Sequence, residues 1–352
     1  MKTRLRLLFL AFTFFLAGKG MSQDDFSGKW YIGFQHQEED NFNQFQLKRA
    51  YITYKPQITP WLSGRITPDI TIDREGADRG NIELRLKYLY AQFSLNDFSI
   101  FTGSNIKVGL TPRPWIDYEQ KINHYRAQGP MFLETADVIN STDYGLNFNT
   151  SFGKKYEPKG FTSGSPGTYG SMAIGVYNGG GYHAIEENAN KTLEWRLTFR
   201  PFPKKFGGLL ATYHGAWGNS NSIRNNRFRL NGVHLAYEHK FFLIYGEYYE
   251  GFGSYNDGFI SERTYRSVPH HGYSAFAEFR EPKTGLAAWL RYDSQYLDYT
   301  QPELAFEEER LIIAAVWRFH KNNKLILSYD KLYKGPENYP NTIWEATLDL
   351  QF

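Results

Sequence analysis

Over most of this chain apolar and polar residues alternate with a period of two, and a sustained helical period is almost absent. The C-terminal segment is the clearest case: Trp344, Ala346, Leu348, Leu350 and Phe352 share one parity, and Glu345, Thr347, Asp349 and Gln351 the other. Ile82 to Tyr90 sets Ile82, Leu84, Leu86, Tyr88 and Tyr90 against Glu83, Arg85 and Lys87. Leu193 to Arg200 and Trp61 to Asp73 repeat the pattern, with Arg196 and Arg65 at their polar positions. Charges therefore stand at strand centres as well as at strand ends. The alternation predicts sixteen strands, at 26–36, 44–55, 61–72, 82–94, 99–110, 143–152, 170–178, 192–200, 208–217, 227–238, 241–250, 272–279, 285–294, 309–318, 324–331 and 341–352.

The links between these strands alternate in length, although the strands were placed by parity alone. One set is short: Pro56 to Pro60, Leu95 to Phe98, Pro201 to Gly207, His239 to Lys240, Arg280 to Thr284 and Phe319 to Asn323. The other is long and polar, including Gln37 to Asn43, Asp73 to Asn81, Thr111 to Thr142, Gly251 to His271 and Gln295 to Glu308. Gly153 to Tyr169 breaks the rule, being long where a short turn is expected. Short turns at one rim and long loops at the other predict an all-β transmembrane antiparallel barrel of about 16 strands, with periplasmic turns and extracellular loops. A barrel of this size leaves a water-filled lumen, which strand-centre charges would line.

Ahead of the first strand come Lys2, Arg4 and Arg6, the apolar run Leu7 to Ala17, and the small residues before Gln23. Eleven apolar residues are too few to cross a bilayer, so residues 1–22 are expected to be a cleaved signal peptide and residues 23–352 the barrel. Removing 1–22 takes away Lys2, Arg4, Arg6 and Lys19 and no acid, which turns 40 basic against 37 acidic residues into 36 against 37. The apparent basic balance belongs to the leader, so a nucleic-acid partner loses its support. The mature 352 − 22 = 330 residues give about 21 per strand and link, enough for the 9 to 11 residues a tilted strand needs. A mean hydropathy of −0.54 excludes a bundle of membrane helices but not a barrel. With 0 Cys, disulfides, thiolate metal sites and catalytic cysteines are excluded. Aromatics make up 18% of the residues, and Trp30, Tyr31, Trp61, Trp317 and Trp344 fall near strand ends, where interfacial girdles sit.

Nucleophile elbows, metalloprotease helices and phosphate loops are absent, and the glycines at 179–181 and 251–253 read as loop glycines. His270-His271 has no spaced partner and reads as exposed loop, and Glu307 to Glu309 as a solvated loop face. No enzyme, metal or cofactor is expected. The informative link is 111–142, where prolines stiffen Thr111-Pro112-Arg113-Pro114-Trp115 and charges of both signs follow. A loop of this kind folding into the barrel would narrow it, and Arg113, Asp117, Glu119, Lys121 and Arg126 would set a field across the bore. The candidate pore-lining charges are Lys48, Arg65, Arg85, Lys87, Lys107, Arg196, Arg291 and Glu345. Lys48 and Arg49 adjoin, so only one can face inward unless a bulge intervenes. Basic residues outnumber acids among these, which leads us to expect a mild anion preference.

Phe45-Gln46-Leu47-Lys48-Arg49-Ala50-Tyr51, Leu86 to Ala91, Gly103 to Leu110 with Lys107, and Ser141-Thr142-Asp143-Tyr144-Gly145-Leu146 resemble the phosphate-selective porin O and P family in its broad sense. The likeness covers roughly residues 43–150. It implies a Gram-negative outer-membrane porin, sixteen-stranded and commonly trimeric, whose third extracellular loop constricts the pore. The family's Gly-Gln-Phe-Lys-x-Pro-Phe pattern stands here as Gly103 to Leu110, and the link 111–142 carries Lys121 as its single lysine. The terminal strand Ile343 to Phe352 resembles the signal by which the barrel-assembly machinery receives such proteins. The expected partners are small hydrophilic solutes, anions among them, outer-membrane lipid and two further copies of the chain. Two other readings explain the signal and strands: a secreted soluble all-β ligand-binding protein, and an outer-membrane barrel enzyme.

Overall fold

The computed structural model describes residues 25–74, 79–158, 160–161, 163–261, 263–298, 306–335 and 339–352, so the expected signal peptide lies outside the described residues. The strands are β1 (Asp25–Gln37), β2 (Phe42–Lys55), β3 (Gln57–Thr59), β4 (Leu62–Ile72), β5 (Ile82–Ser94), β6 (Phe101–Pro112), β7 (Thr142–Phe152), β8 (Gly170–Tyr177) and β9 (Thr192–Phe199). They continue with β10 (Leu209–Asn219), β11 (Arg227–Glu238), β12 (Phe242–Phe252), β13 (Pro269–Arg280), β14 (Leu286–Leu297), β15 (Phe306–His320), β16 (Asn323–Lys334) and β17 (Tyr339–Gln351). β3 is a three-residue piece of the turn before β4, and the other sixteen form the wall. Each wall strand pairs antiparallel with the next, and β1 pairs with β17 from Lys29↔Gln351 to Gln37↔Ile343. The sheet is thus a closed sixteen-stranded barrel, which leaves no wall strand with an unpaired edge.

Alternation along the strands puts apolar side chains outside. Val233 and Leu235 are exposed on β11, while Leu230, His234 and Glu238 between and beside them are buried inside. Trp30, Trp61, Trp317 and Trp344 all face outward, Trp61 and Trp317 beside short turns as an interfacial girdle requires and Trp30 and Trp344 at mid-strand, whereas Tyr31 is turned into the lumen at 4% exposure. Two bulges interrupt the alternation where it matters most. Register jumps from Tyr31↔Arg49 to Ile32↔Leu47, leaving Lys48 as the extra residue, and from Thr67↔Tyr88 to Pro68↔Leu86, leaving Lys87. A bulge lets two neighbouring side chains face the same way. Lys48 and Arg49 therefore both turn inward, which strict alternation forbids.

The apolar core lies inside the barrel. The link from Arg113 to Ser141 folds into it, carrying the helices α1 (Pro114–Ile122) and α2 (Phe132–Thr135), which periodicity did not predict. Pro114 opens α1, where its missing N–H costs nothing, and Asp117 and Lys121 sit at the ends of the helix dipole that favour them. Trp115, Ile116, Tyr118, Ile122, Phe132 and Leu133 pack against the inward-facing Leu210, Phe228, Leu230, Tyr245, Tyr249, Phe276 and Trp289 of β10 to β14. The inner wall beneath the loop thus mixes this apolar cluster with buried polar side chains such as His214, Glu247 and Arg291, where a polar lumen was expected. Other elements also differ from expectation. The first long-side link shrinks to residues 38–41, His270 is buried on β13 with its Nε2 2.7 Å from the Gly253 carbonyl, and Glu307 to Glu309 belong to β15.

Candidate functional site: the lumen beside the inward loop

Because the loop fills the β8–β14 side, open space remains along β1, β2, β4, β5, β16 and β17. Two cavities occupy it, one of about 700 Å³ toward the short turns and one of about 270 Å³ toward the long loops. Both are bounded by Tyr31 of the wall and Arg126 of the loop, so the narrow point between them lies there.

The loop hangs from the wall by its backbone carbonyls. Lys48 of β2 donates to the Gln128 carbonyl at 2.6 Å, Arg291 of β14 to Pro130 at 2.9 Å, Lys324 of β16 to His124 at 3.1 Å, and the Gln295 amide to Ala136 at 3.0 Å. The same cations are held by wall carboxylates: Lys48 Nζ is 2.5 Å from Glu345, Arg291 is 2.6 Å from Asp293, and Lys324 pairs with Asp349. At the head of α1, Arg113 is wholly buried, 3.1 Å from Asp143, 3.2 Å from Glu194 and 3.1 Å from the Gly179 carbonyl. Further along, the Tyr125 hydroxyl donates to Glu278 at 2.6 Å, which Arg318 also reaches at 2.6 Å.

The expected pore-lining residues fall into three groups. Arg65 and Lys87 line the larger cavity; Arg65 lies 4.0 Å over the Tyr88 ring, and Lys87 hydrogen-bonds the Ser141 hydroxyl with its ammonium 4.4 Å from the Tyr182 ring. Lys48 and Glu345 line the smaller cavity as an ion pair. Arg85, Lys107, Arg196 and Arg291 line neither. Arg85 and Arg49 share the buried Asp69 carboxylate, Lys107 stands 5.5 Å from the Tyr90 ring, and Arg291 lies beneath the loop. Arg196 is shut behind α1, bonded to Ser171 and Thr198 and 4.7 Å over the Tyr118 ring.

Of the five loop charges only Arg126 borders the cavities, held by Glu134 in a two-pronged pair. Asp117 and Lys121 pair with each other at 2.6 Å. Burial works to raise the Asp117 carboxyl, but Lys121, Lys107 and Arg65 hold it well below the usual carboxylate range. Glu119 is fully buried and turned toward the wall, and burial, with Glu134 and Asp293 nearby, pushes its carboxyl up to about 8. His124 also lines the larger cavity and is exposed to it, and the nearby Lys324 works to lower its imidazole.

The parity reading missed the cations at the turn-side ends of strands. Lys29, Lys55, Lys240, Arg280, Arg318 and Lys324 join Arg65, Lys87 and Arg126 around the larger cavity, nine basic residues against the single acid Asp349. Lys55, Arg126, Arg280, Arg318 and Lys324 have carboxylate partners; Lys29, Arg65, Lys87 and Lys240 have none within ion-pair distance among the described residues. Lys29 carried a usable signal, since it shares parity with the inward Tyr31. Among the described residues no cluster of His, Asp or Glu suits a metal ion.

This fold, a closed barrel with a helical loop folded into its lumen, has solved counterparts. The chain is similar to OmpF of Salmonella typhi, solved with daunomycin, at 16% identity and a TM-score of 0.63 over 94% of this chain and 97% of that one. It is similar to an anion-selective porin from Comamonas acidovorans at 10% identity and a TM-score of 0.63, covering 94% and 100%. A trimer form of OmpT, an outer-membrane protein of Vibrio cholerae, matches at 10% identity and a TM-score of 0.58, covering 94% and 99%. The fold is therefore that of outer-membrane porins. No family model and no curated protein matches the chain.

Proposed function

We propose that the protein is an outer-membrane porin of a Gram-negative bacterium, through which small hydrophilic solutes diffuse passively and anions pass in preference to cations. The observation that carries this reading is the larger cavity, where nine basic side chains stand with one acid and, among the described residues, four of the nine have no carboxylate within ion-pair distance. A passage lined by one sign of charge within low-dielectric walls concentrates counter-ions. The apolar outer face supports a lipid-embedded wall, and the polar strip beside the loop a water-filled path with no chemical step.

The trimer form of the Vibrio cholerae protein supports a homotrimer. The likeness of residues 43–150 supports a place among the phosphate-selective porins in the broad sense. The single loop lysine, Lys121, is paired with Asp117, so the wall and not a loop lysine cluster carries the anion preference. Residues 1–22 act as an export signal, and the strand ending at Phe352, which closes onto Gly28 with its ring 5.5 Å from Trp30, addresses the barrel to the assembly machinery.

Swelling of liposomes that contain the refolded protein tests the proposal. A small monocarboxylate is expected to enter faster than an uncharged solute of similar size, and Lys29→Glu with Arg65→Glu to remove the difference. Swelling no faster than in protein-free vesicles would contradict it.

A further inference from the structure

The link between β7 and β8 spans residues 153–169, seventeen in all, while the other turn-side links run from two to nine. Its described residues do not splay over the rim. They close on themselves through Tyr156 N–H to the Pro166 carbonyl at 2.6 Å, then turn into the lumen. There the Ser163 hydroxyl and the Gly164 N–H donate to Glu238 at 2.7 and 2.9 Å, and Arg200 donates to the Ser163 hydroxyl at 2.6 Å and the Ser165 carbonyl at 2.9 Å. Glu238 and Arg200 are charges at the turn-side end, both almost fully buried, and this link supplies most of their hydrogen-bond partners, the Gly207 carbonyl serving Arg200 besides. Gly164 meets α1: a Cβ placed there would stand 2.4 Å from Cγ1 of Ile122. Gly160 and Phe161 form part of the boundary of the larger cavity, across which lie Lys29, Lys55 and Arg65.

We propose that this link is a second inward element, which narrows the turn-side mouth of the pore and props the C-terminal end of α1. The inference rests on the porin reading. Two observations argue against an idle turn: a short hairpin would join β7 to β8 without it, since Phe152 pairs directly with Gly170, and its contacts are with buried charges and with α1. Solutes leaving the larger cavity must then pass between Phe161 and the lysines of β1 and β2.

Single-channel conductance tests this with three forms of the full-length protein besides the wild type. Replacing residues 153–169 by Asn-Gly is expected to raise conductance roughly 1.5-fold or more, because a narrowing in series with the constriction is removed. Gly164→Val keeps the link but drives it against Ile122, and is expected to make the open current unsteady; adding Ile122→Ala makes room and restores steady steps. The valine pair decides the matter if the shortened barrel fails to assemble. A conducting wild type whose Gly164→Val form shows unchanged steps, or whose second substitution brings no rescue, would overturn the inference and leave the porin reading standing. A folded wild type without current would overturn both.

Discussion

Lys48 shows how a single residue serves structure before it serves transport. It turns inward because a bulge spares it from alternation, and it then spends its charge on Glu345 and on a loop carbonyl. Arg291 and Lys324 do the same from other strands, so part of the cationic wall is a set of hooks for the loop. The sequence reveals these residues as inward and charged, but not what they hold, because the partner is a backbone oxygen about 80 to 200 positions away. Glu119 makes the opposite case, a carboxyl the sequence suggested for the bore that faces the buried side. Arg291, Asp293 and Glu247 from the wall, His214 and Tyr245 beside them, and Glu134 from the loop itself surround it. Burial raises its pKa from an ordinary value of 4.5 to about 8. A raised carboxyl binds its proton more tightly when the loop is seated, so its contribution is full below about 4.5 and is lost as pH rises toward 8. We therefore expect current noise from loop motion to grow between pH 5 and pH 9, and Glu119→Gln to flatten that trend in single-channel records. Noise that falls with rising pH in the wild type would contradict the assignment.

At the scale of elements, the strands were the legible part. The expected ranges 82–94 and 227–238 coincide with β5 and β11, because long alternating segments state both their direction and their length. The helices α1 and α2 were not legible: nine and four residues are too short for a helical period to stand out, and their apolar faces meet a wall that the sequence places elsewhere. Their stability is tertiary, drawn from packing and from anchors. Arg113 is the anchor whose loss should be felt most, since truncation leaves Asp143 and Glu194 buried without their cation. Breaking such a buried pair from one side costs about 3–5 kcal/mol. Arg113→Ala is expected to lower the unfolding temperature in detergent and to raise loop noise, whereas Lys121→Ala, which removes an exposed lysine from a half-buried carboxylate, should have a much smaller effect on both. Equal effects of the two substitutions would count against the anchor.

For the whole molecule, closure of β1 on β17 and the crowding of α1 and α2 to one side leave two cavities along the remaining wall, which meet at Tyr31 and Arg126, the larger of them strongly basic. Barrel class and strand number could be read from alternation and link lengths. The position of the cavities could not, because it depends on which side of the wall the loop covers. Selectivity that arises from a charged wall acts through the ionic atmosphere, whose thickness falls from about 10 Å at 0.1 M salt to about 3 Å at 1 M. The proposed anion preference should accordingly weaken in concentrated salt, and a preference unchanged between 0.1 M and 1 M would point to a binding site and not a field. The most direct measurement is the current through single refolded channels in a planar bilayer under a potassium chloride gradient. The account predicts stable ohmic steps with a reversal potential of the sign set by chloride. A reversal potential of the potassium sign, or inserted barrels that carry no current, would contradict it.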